Sequence, residues 1–225
     1  MTKNTPAAES TGRHGHHDYL PAAGRDAMLP FYDLFTRLLG ARGVHRTLLR
    51  HADIAPGARV LEIGCGTGNL ALAALAAHPR AEITGTDPDP LALRRAESKS
   101  HGRNGIEYRL AYAQDLPFED ATFDRTLSAF MLHHIPAEVK PALAAEAFRT
   151  LRPGGQLHLV DVGGDVTPAD GYAARRLLSN PHVTGNLGDA IPTLLRSAGF
   201  TCETTESRPH RAIGRITYYR ATRPA

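Results

Sequence analysis

The run Val60-Leu61-Glu62-Ile63-Gly64-Cys65-Gly66-Thr67-Gly68-Asn69 constrains this chain more than any other stretch. A short apolar strand, Ala58 to Ile63, runs into three glycines at alternate positions, and an alanine-rich helix, Asn69 to Ala77, follows. Glycines allow a sharp turn and let backbone N–H groups approach a ligand closely. In an open α/β sheet such a loop lies beyond the carboxyl ends of the strands, where ligands bind. A dinucleotide-binding loop wants a third small residue where this chain has Asn69. Glu62, in the strand end, is costly to bury unless it has a cationic or N–H partner, and a ligand carrying an ammonium group would supply one.

The chain beyond the loop alternates. Strands are expected at Glu82 to Thr86, Ile106 to Ala111, Phe123 to Phe130 and Gln156 to Val162, with helices at Pro90 to Ser100, Ala137 to Leu151 and Gly188 to Ala198. Interleaving of this kind argues a parallel sheet covered on both faces. The last two strands, Thr201 to Glu206 and Ile213 to Ala221, are separated by a turn containing Pro209, too short for a crossover helix, so they should be antiparallel.

Residues 1–27 read as a flexible arm; its His14, His16 and His17 read as surface histidines, with metal chelation the alternative. Residues 28–225 read as one domain. Its first part, 28–57, holds two amphipathic cap helices that are expected near the mouth of the fold, and residues 163–187, rich in Gly and Pro around a short helix from Tyr172 to Leu178, read as a lid insert.

The second strand runs out in Thr86-Asp87-Pro88-Asp89-Pro90. An acidic residue about twenty positions past the glycines suits a carboxylate gripping ribose hydroxyls, and Asp87 is the choice. Asp89, before Pro90 at the first helical position, reads as the helix N-cap.

With these residues in view, Val60 to Asp161 resembles the Rossmann-like class of S-adenosylmethionine-dependent methyltransferases. Four segments carry the likeness in order: Val60 to Asn69, Thr86 to Asp89, Ala113-Gln114-Asp115-Leu116-Pro117-Phe118, and Leu151-Arg152-Pro153-Gly154-Gly155. The resemblance implies a three-layer α-β-α sheet of seven strands, the last antiparallel, with an N-terminal helical cap. It implies that Glu62 and the loop Gly64, Cys65, Gly66, Thr67 and Gly68 hold the methionine end of the cofactor. Asp87 and the adjoining Pro88 take the ribose, Asp115 accepts from the adenine amino group with Gln114 and Leu116 beside the ring, and Ala129 and Phe130 floor the sulfonium. Tyr32 resembles an aromatic that covers the cofactor in quinone-type C-methyltransferases, a plain core tyrosine being the alternative. The expected cofactor is S-adenosyl-L-methionine, with S-adenosyl-L-homocysteine as product.

The segment after the fourth strand reads Ser128-Ala129-Phe130-Met131-Leu132-His133-His134. It lacks the Asn/Asp-Pro-Pro-aromatic turn of enzymes that methylate nucleobases or glutamine, and the carboxylate by which catechol-type enzymes hold magnesium, so no metal is expected. A histidine here suits a general base, with pKa near neutrality; His134 is the candidate and His133 a second group lining the site. The resemblance therefore implies methyl transfer to a small or medium organic acceptor. A nicotinamide-dependent oxidoreductase is disfavoured by the glycine spacing. From another class, a cofactor-binding partner or regulator without transferase activity is the alternative.

Composition narrows the setting. The net charge is +3 and the basic residues are scattered, which argues against nucleic acid. The two cysteines form no framework and suit a cytoplasmic protein. No apolar run is long enough for an integral membrane segment. A homodimer is compatible with all of this.

Overall fold

The computed structural model describes residues 40–178, 185–210 and 213–225. The expected arm, the first cap helix and Tyr32 lie outside the described residues.

Seven strands, β1 (Arg59–Ile63), β2 (Glu82–Asp87), β3 (Ile106–Leu110), β4 (Phe123–Ala129), β5 (Leu151–Val162), β6 (Thr201–His210) and β7 (Gly214–Thr222), form one sheet. Its order is β3-β2-β1-β4-β5-β7-β6, with β7 antiparallel to both neighbours and the other pairs parallel. The order reverses between β1 and β4, so a crevice opens at the carboxyl ends of these two strands, where open sheets bind ligands.

Among the described residues six α-helices belong to the frame: α1 (Ala41–Ala52), α2 (Asn69–Ala77), α3 (Pro90–Ser100), α4 (Lys140–Thr150), α5 (Tyr172–Leu178) and α6 (Ala190–Ser197). Each strand residue faces one side or the other. Val60 packs with Val44, Leu48, Leu70 and Ala74 of α1 and α2, while Leu61 and Ile63 pack with Leu143, Ala147, Ile191 and Leu195 of α4 and α6. Each such buried side chain contributes roughly 1.5–3 kcal/mol. The second cap helix is thus present as α1, and it lies along the sheet face with β4 and β5.

Several boundaries differ from expectation. Residues 137–139 form a turn, and α4 begins at Lys140. The strand β5 begins at Leu151, with an irregularity in its register against β4 between Phe123↔Leu151 and Arg125↔Gln156 that absorbs the Pro-Gly-Gly turn. Pro209 lies inside β6, paired with Arg215, and not in the turn. β6 is the sheet edge, where proline's missing donor is tolerated. The insert 163–187 is anchored where it is described: Gly164 bridges Leu187, and Asp170 is held by Arg215 of β7 at 2.6 and 2.9 Å.

Candidate functional site

The alternation of β1 places Glu62 on the face of Val60, beneath α2. It is 3% exposed, and its Oε2 has no hydrogen-bond partner among the described residues. Burial pushes its carboxyl well above the ordinary range, the Ala71 N–H opposes this, and Asp87 adds to it. A buried acceptor without a donor carries a desolvation cost of about 1–3 kcal/mol. In front of it, Gly64 and Cys65 both donate to Thr86 O at 2.9 Å, and Gly68 donates to Cys65 O at 2.8 Å.

Two of the loop glycines are required by contact as well as by backbone. At Gly64 (φ 74°) a Cβ would sit 2.4 Å from Met131 Cγ; at Gly68 (φ 75°) it would sit 2.5 Å from the Tyr108 hydroxyl and 2.9 Å from Ala96 Cβ. At Gly66 a Cβ would meet nothing within 4 Å among the described residues. Cys65 and Thr67 are buried; burial first, then Glu62 and Asp87, push the Cys65 thiol well above its usual range, which keeps it neutral. Lys99 of α3 ties the back of the loop, donating to Thr67 Oγ1 at 2.9 Å and to Asn69 Oδ1 at 2.8 Å.

Asp87 ends β2 beside the loop. Its Oδ2 accepts from Gly66 N–H at 2.8 Å and its Oδ1 from Asp89 N–H at 3.0 Å. A carboxylate has about four lone-pair positions, so two remain for hydroxyls. Burial raises its pKa and the two amides oppose that. Asp89 is the N-cap of α3, its side chain accepting from Leu91 N–H at 2.8 Å, while Pro88 is half-buried between the two acids.

The loop after β3 presents Asp115 outward. Its N–H donates to Tyr112 O at 3.1 Å, and its carboxylate makes no hydrogen bond among the described residues. Gln114 is half-buried beside it, whereas Leu116 turns down into the core that contains Phe123 and Leu143.

On the far side of the crevice, Ala129 ends β4 and Phe130 follows it. Phe130 adopts φ 55°, uncommon for a side chain of that size, and its N–H donates to Val160 O at 2.9 Å. Met131 then packs on Gly64, and a 3-10 turn, Leu132–His134, follows. His133 Nδ1 lies 2.6 Å from Asp161 Oδ1. Asp161 is fully buried at the end of β5 and also accepts from Val162 N–H at 2.6 Å and His133 N–H at 3.3 Å. Burial alone pushes the His133 imidazole down, but the charge and hydrogen bond of Asp161 outweigh it and hold the pKa above its ordinary 6.5. The His134 ring lies 4.0 Å from that of His133, centroid to centroid. Next to this pair, buried Lys140 donates to Asn186 Oδ1 at 2.6 Å, and the fully buried Asn186 leaves Nδ2 without a partner among the described residues.

The structure therefore gathers Glu62, the glycine loop, Asp87 and Pro88 at one crevice, with Asp115 on its adjoining loop and Phe130, His133 and His134 on the other lip. Sequence reasoning missed Asp161, Lys140, Asn186 and Lys99. Asp161 had one signal, a lone acid at the end of the apolar run Leu157-His158-Leu159-Val160-Asp161-Val162.

Fold and site define an α/β protein with a glycine loop and an acidic strand end at the switch point of its sheet. Residues 60–155 match the family model described as a methyltransferase domain. An uncharacterised protein of Mycobacterium tuberculosis is 29% identical over 220 residues, covering 88% of this chain and 74% of that one. A demethylmenaquinone methyltransferase of Thermus thermophilus is 38% identical over 137 residues, 59% of this chain and 61% of that one. The solved structure of a phosphoethanolamine N-methyltransferase of Haemonchus contortus, with phosphomonomethylethanolamine and S-adenosylhomocysteine, shares the fold at TM-score 0.66 and 18% identity, over 81% of this chain and 53% of that one. Over residues 60–155 the chain is thus similar to the Rossmann-like class of S-adenosylmethionine-dependent methyltransferases, whose fold it shares. Among the described residues no helix is long and apolar enough to cross a membrane.

Proposed function

We propose that this chain is an enzyme that moves the methyl group of S-adenosylmethionine to a small or medium organic acceptor bearing an ionisable O–H, N–H or C–H. The observation that carries the reading is Glu62: a buried carboxylate with an orphaned oxygen behind a glycine loop that opens at Gly66. A cation in that space would supply the missing partner, and the α-ammonium group of the cofactor is one. Asp87 would take the ribose hydroxyls on its remaining lone pairs, Asp115 the adenine amino group, and Phe130 the sulfonium side.

The cofactor supplies an already activated methyl group, so the chain's work is to position the acceptor and manage its proton. His133 suits that work. With Nδ1–H donated to Asp161, the tautomer leaves Nε2 as the proton acceptor, and the buried carboxylate stabilises the imidazolium that forms. His134, named from sequence as the base, is assigned here to shaping the site around His133. Lys140 and Asn186 add buried donors that suit an oxygen on the acceptor. The insert 163–187 is assigned the role of a lid that selects the acceptor, and the two free cysteines suit a cytoplasmic setting.

The test is twofold. S-adenosylhomocysteine should raise the melting temperature of the full chain by mass action. Incubation with S-adenosylmethionine and a panel of phenols, amines and quinols should then give a product heavier by one methylene unit. Binding without any methylated product would favour the regulatory alternative; stabilisation by NAD instead would favour the oxidoreductase.

A further inference from the structure

The loop that carries Asp115 is gripped by two charged side chains from a helix about thirty residues further on. Glu146 and Arg149 lie one turn apart on α4. Arg149 meets Glu146 through two bonds, Nε to Oε1 at 2.7 Å and Nη2 to Oε2 at 2.8 Å. The same Glu146 Oε2 accepts from Leu116 N–H at 2.8 Å, and the same Arg149 Nη2 donates to Leu116 O at 3.0 Å. Arg149 Nη1 reaches on to Phe118 O at 2.7 Å and to Asp120 Oδ1 at 2.8 Å. Glu146 is held below the ordinary carboxylate range, first by the Arg149 hydrogen bond, so the clamp stays charged at neutral pH.

The geometry has a specific consequence. The N–H and the C=O of Leu116 are both held, and the N–H taken by Glu146 belongs to the peptide that joins Asp115 to Leu116. On the other side, Asp115 N–H is held by Tyr112 O at 3.1 Å. The backbone is therefore pinned before and after Asp115, while its carboxylate alone points outward without a partner among the described residues. A bidentate arginine–carboxylate unit is the stiffest charged anchor a protein can offer, because the planar fork fixes orientation as well as distance. Exposed ion pairs stabilise little on their own. One that takes up three loop backbone groups acts on the shape of that loop.

We infer that Glu146 and Arg149 are positioning residues that hold Asp115 in the orientation that reads the adenine amino group, and so set the base specificity of the cofactor site. This rests on the adenosyl reading of the preceding subsection.

The experiment compares two ligands by calorimetry on the full chain. They are S-adenosylhomocysteine and S-inosylhomocysteine, in which a carbonyl oxygen replaces the adenine amino group. The wild type should prefer the adenosyl form by about tenfold or more, because a carboxylate facing a carbonyl loses its donor. Glu146→Gln and Arg149→Met should weaken the adenosyl form by roughly tenfold, leave the inosyl form nearly unchanged, and bring the ratio towards one. Arg149→Lys keeps the charge without the fork and should recover only part of the ratio. Should Arg149→Met fail to fold, the isosteric Glu146→Gln carries the test, with melting curves recorded beside it. Folded variants that keep the wild-type ratio overturn the inference, and so do variants that weaken both ligands equally, since that marks a merely structural brace. A wild type that binds neither ligand, or binds both alike, removes the adenosyl reading itself and the inference with it.

Discussion

On the donor side of the crevice, the groups assigned to the cofactor lie mostly in short runs of consecutive residues: Glu62 to Gly68, Asp87 to Pro88, Gln114 to Leu116. On the acceptor side they come from four separate elements: His133 from the turn after β4, Asp161 from the end of β5, Lys140 from the start of α4, Asn186 from the end of the insert. The donor side is prepared by backbone, as where the Gly66 amide already holds Asp87 at 2.8 Å. The acceptor side is prepared by side chains meeting across the fold, as where Asp161 meets His133 at 2.6 Å across 28 residues of chain. Backbone-built sites leave a readable spacing in sequence; side-chain pairs made by packing leave almost none. Met131 packs against Gly64 where the two sides meet.

The contrast predicts that the two sides fail separately. The largest effect is expected at His133. His133→Ala should lower kcat by about a hundredfold or more, as for loss of a general base, with S-adenosylhomocysteine affinity unchanged. Asp161→Asn should do much of the same and also move the acidic limb of kcat to lower pH. The sign follows from Asp161 raising the His133 pKa: without that charge the imidazole loses its proton at lower pH. Equal kcat in either variant would return the pair to a structural role.

Next in size is Asp87→Ala, which should weaken S-adenosylhomocysteine by roughly a hundredfold, from two charge-assisted hydrogen bonds. An unchanged dissociation constant would remove Asp87 from the ribose role.

A smaller change with two signs is expected at Glu62. Glu62→Gln should weaken the cofactor by about tenfold and raise the melting temperature of the ligand-free chain. Folding raises this carboxyl pKa, so the ionised form opposes folding above the unfolded value, and that opposition fades as pH falls through the folded value. A neutral amide lacks the opposition at every pH. A lower melting temperature would contradict the account. The smallest effect is expected at His134→Ala: a few-fold in kcat, with full activity returning His134 to packing.

Much of the sheet was legible because its strands alternate with helices whose ends carry their own signals, such as Asp89 capping α3 before Pro90. Where the reading slipped, tertiary pairing had extended an element past its local cues. β6 runs through Pro209 because an edge strand needs no donor there, and β5 starts at Leu151 because β4 offers it a partner at Phe123. The residues assigned to the donor side stand out in sequence because backbone-built runs keep a fixed spacing. Sequence named His134 as the candidate base with His133 beside it; both histidines carry the same chemistry in sequence, and the proposal turns to His133 because Asp161, set by the register of β5, meets its ring. Glu146 and Arg149 are an i,i+3 pair on α4, and their grip on Leu116 arises only where that helix packs against the loop.

The central claim is that Glu62 stands buried and short of a partner until a cationic amino-acid tail arrives. Calorimetric titration of S-adenosylhomocysteine into the full chain, near pH 6 in two buffers of different ionisation enthalpy, tests it most directly. Burial raises the ligand-free Glu62 and Asp87 pKa values, so binding should be accompanied by proton release, and most of that release should vanish in Glu62→Gln. No binding, or binding with the same proton release in Glu62→Gln as in the wild type, would contradict it.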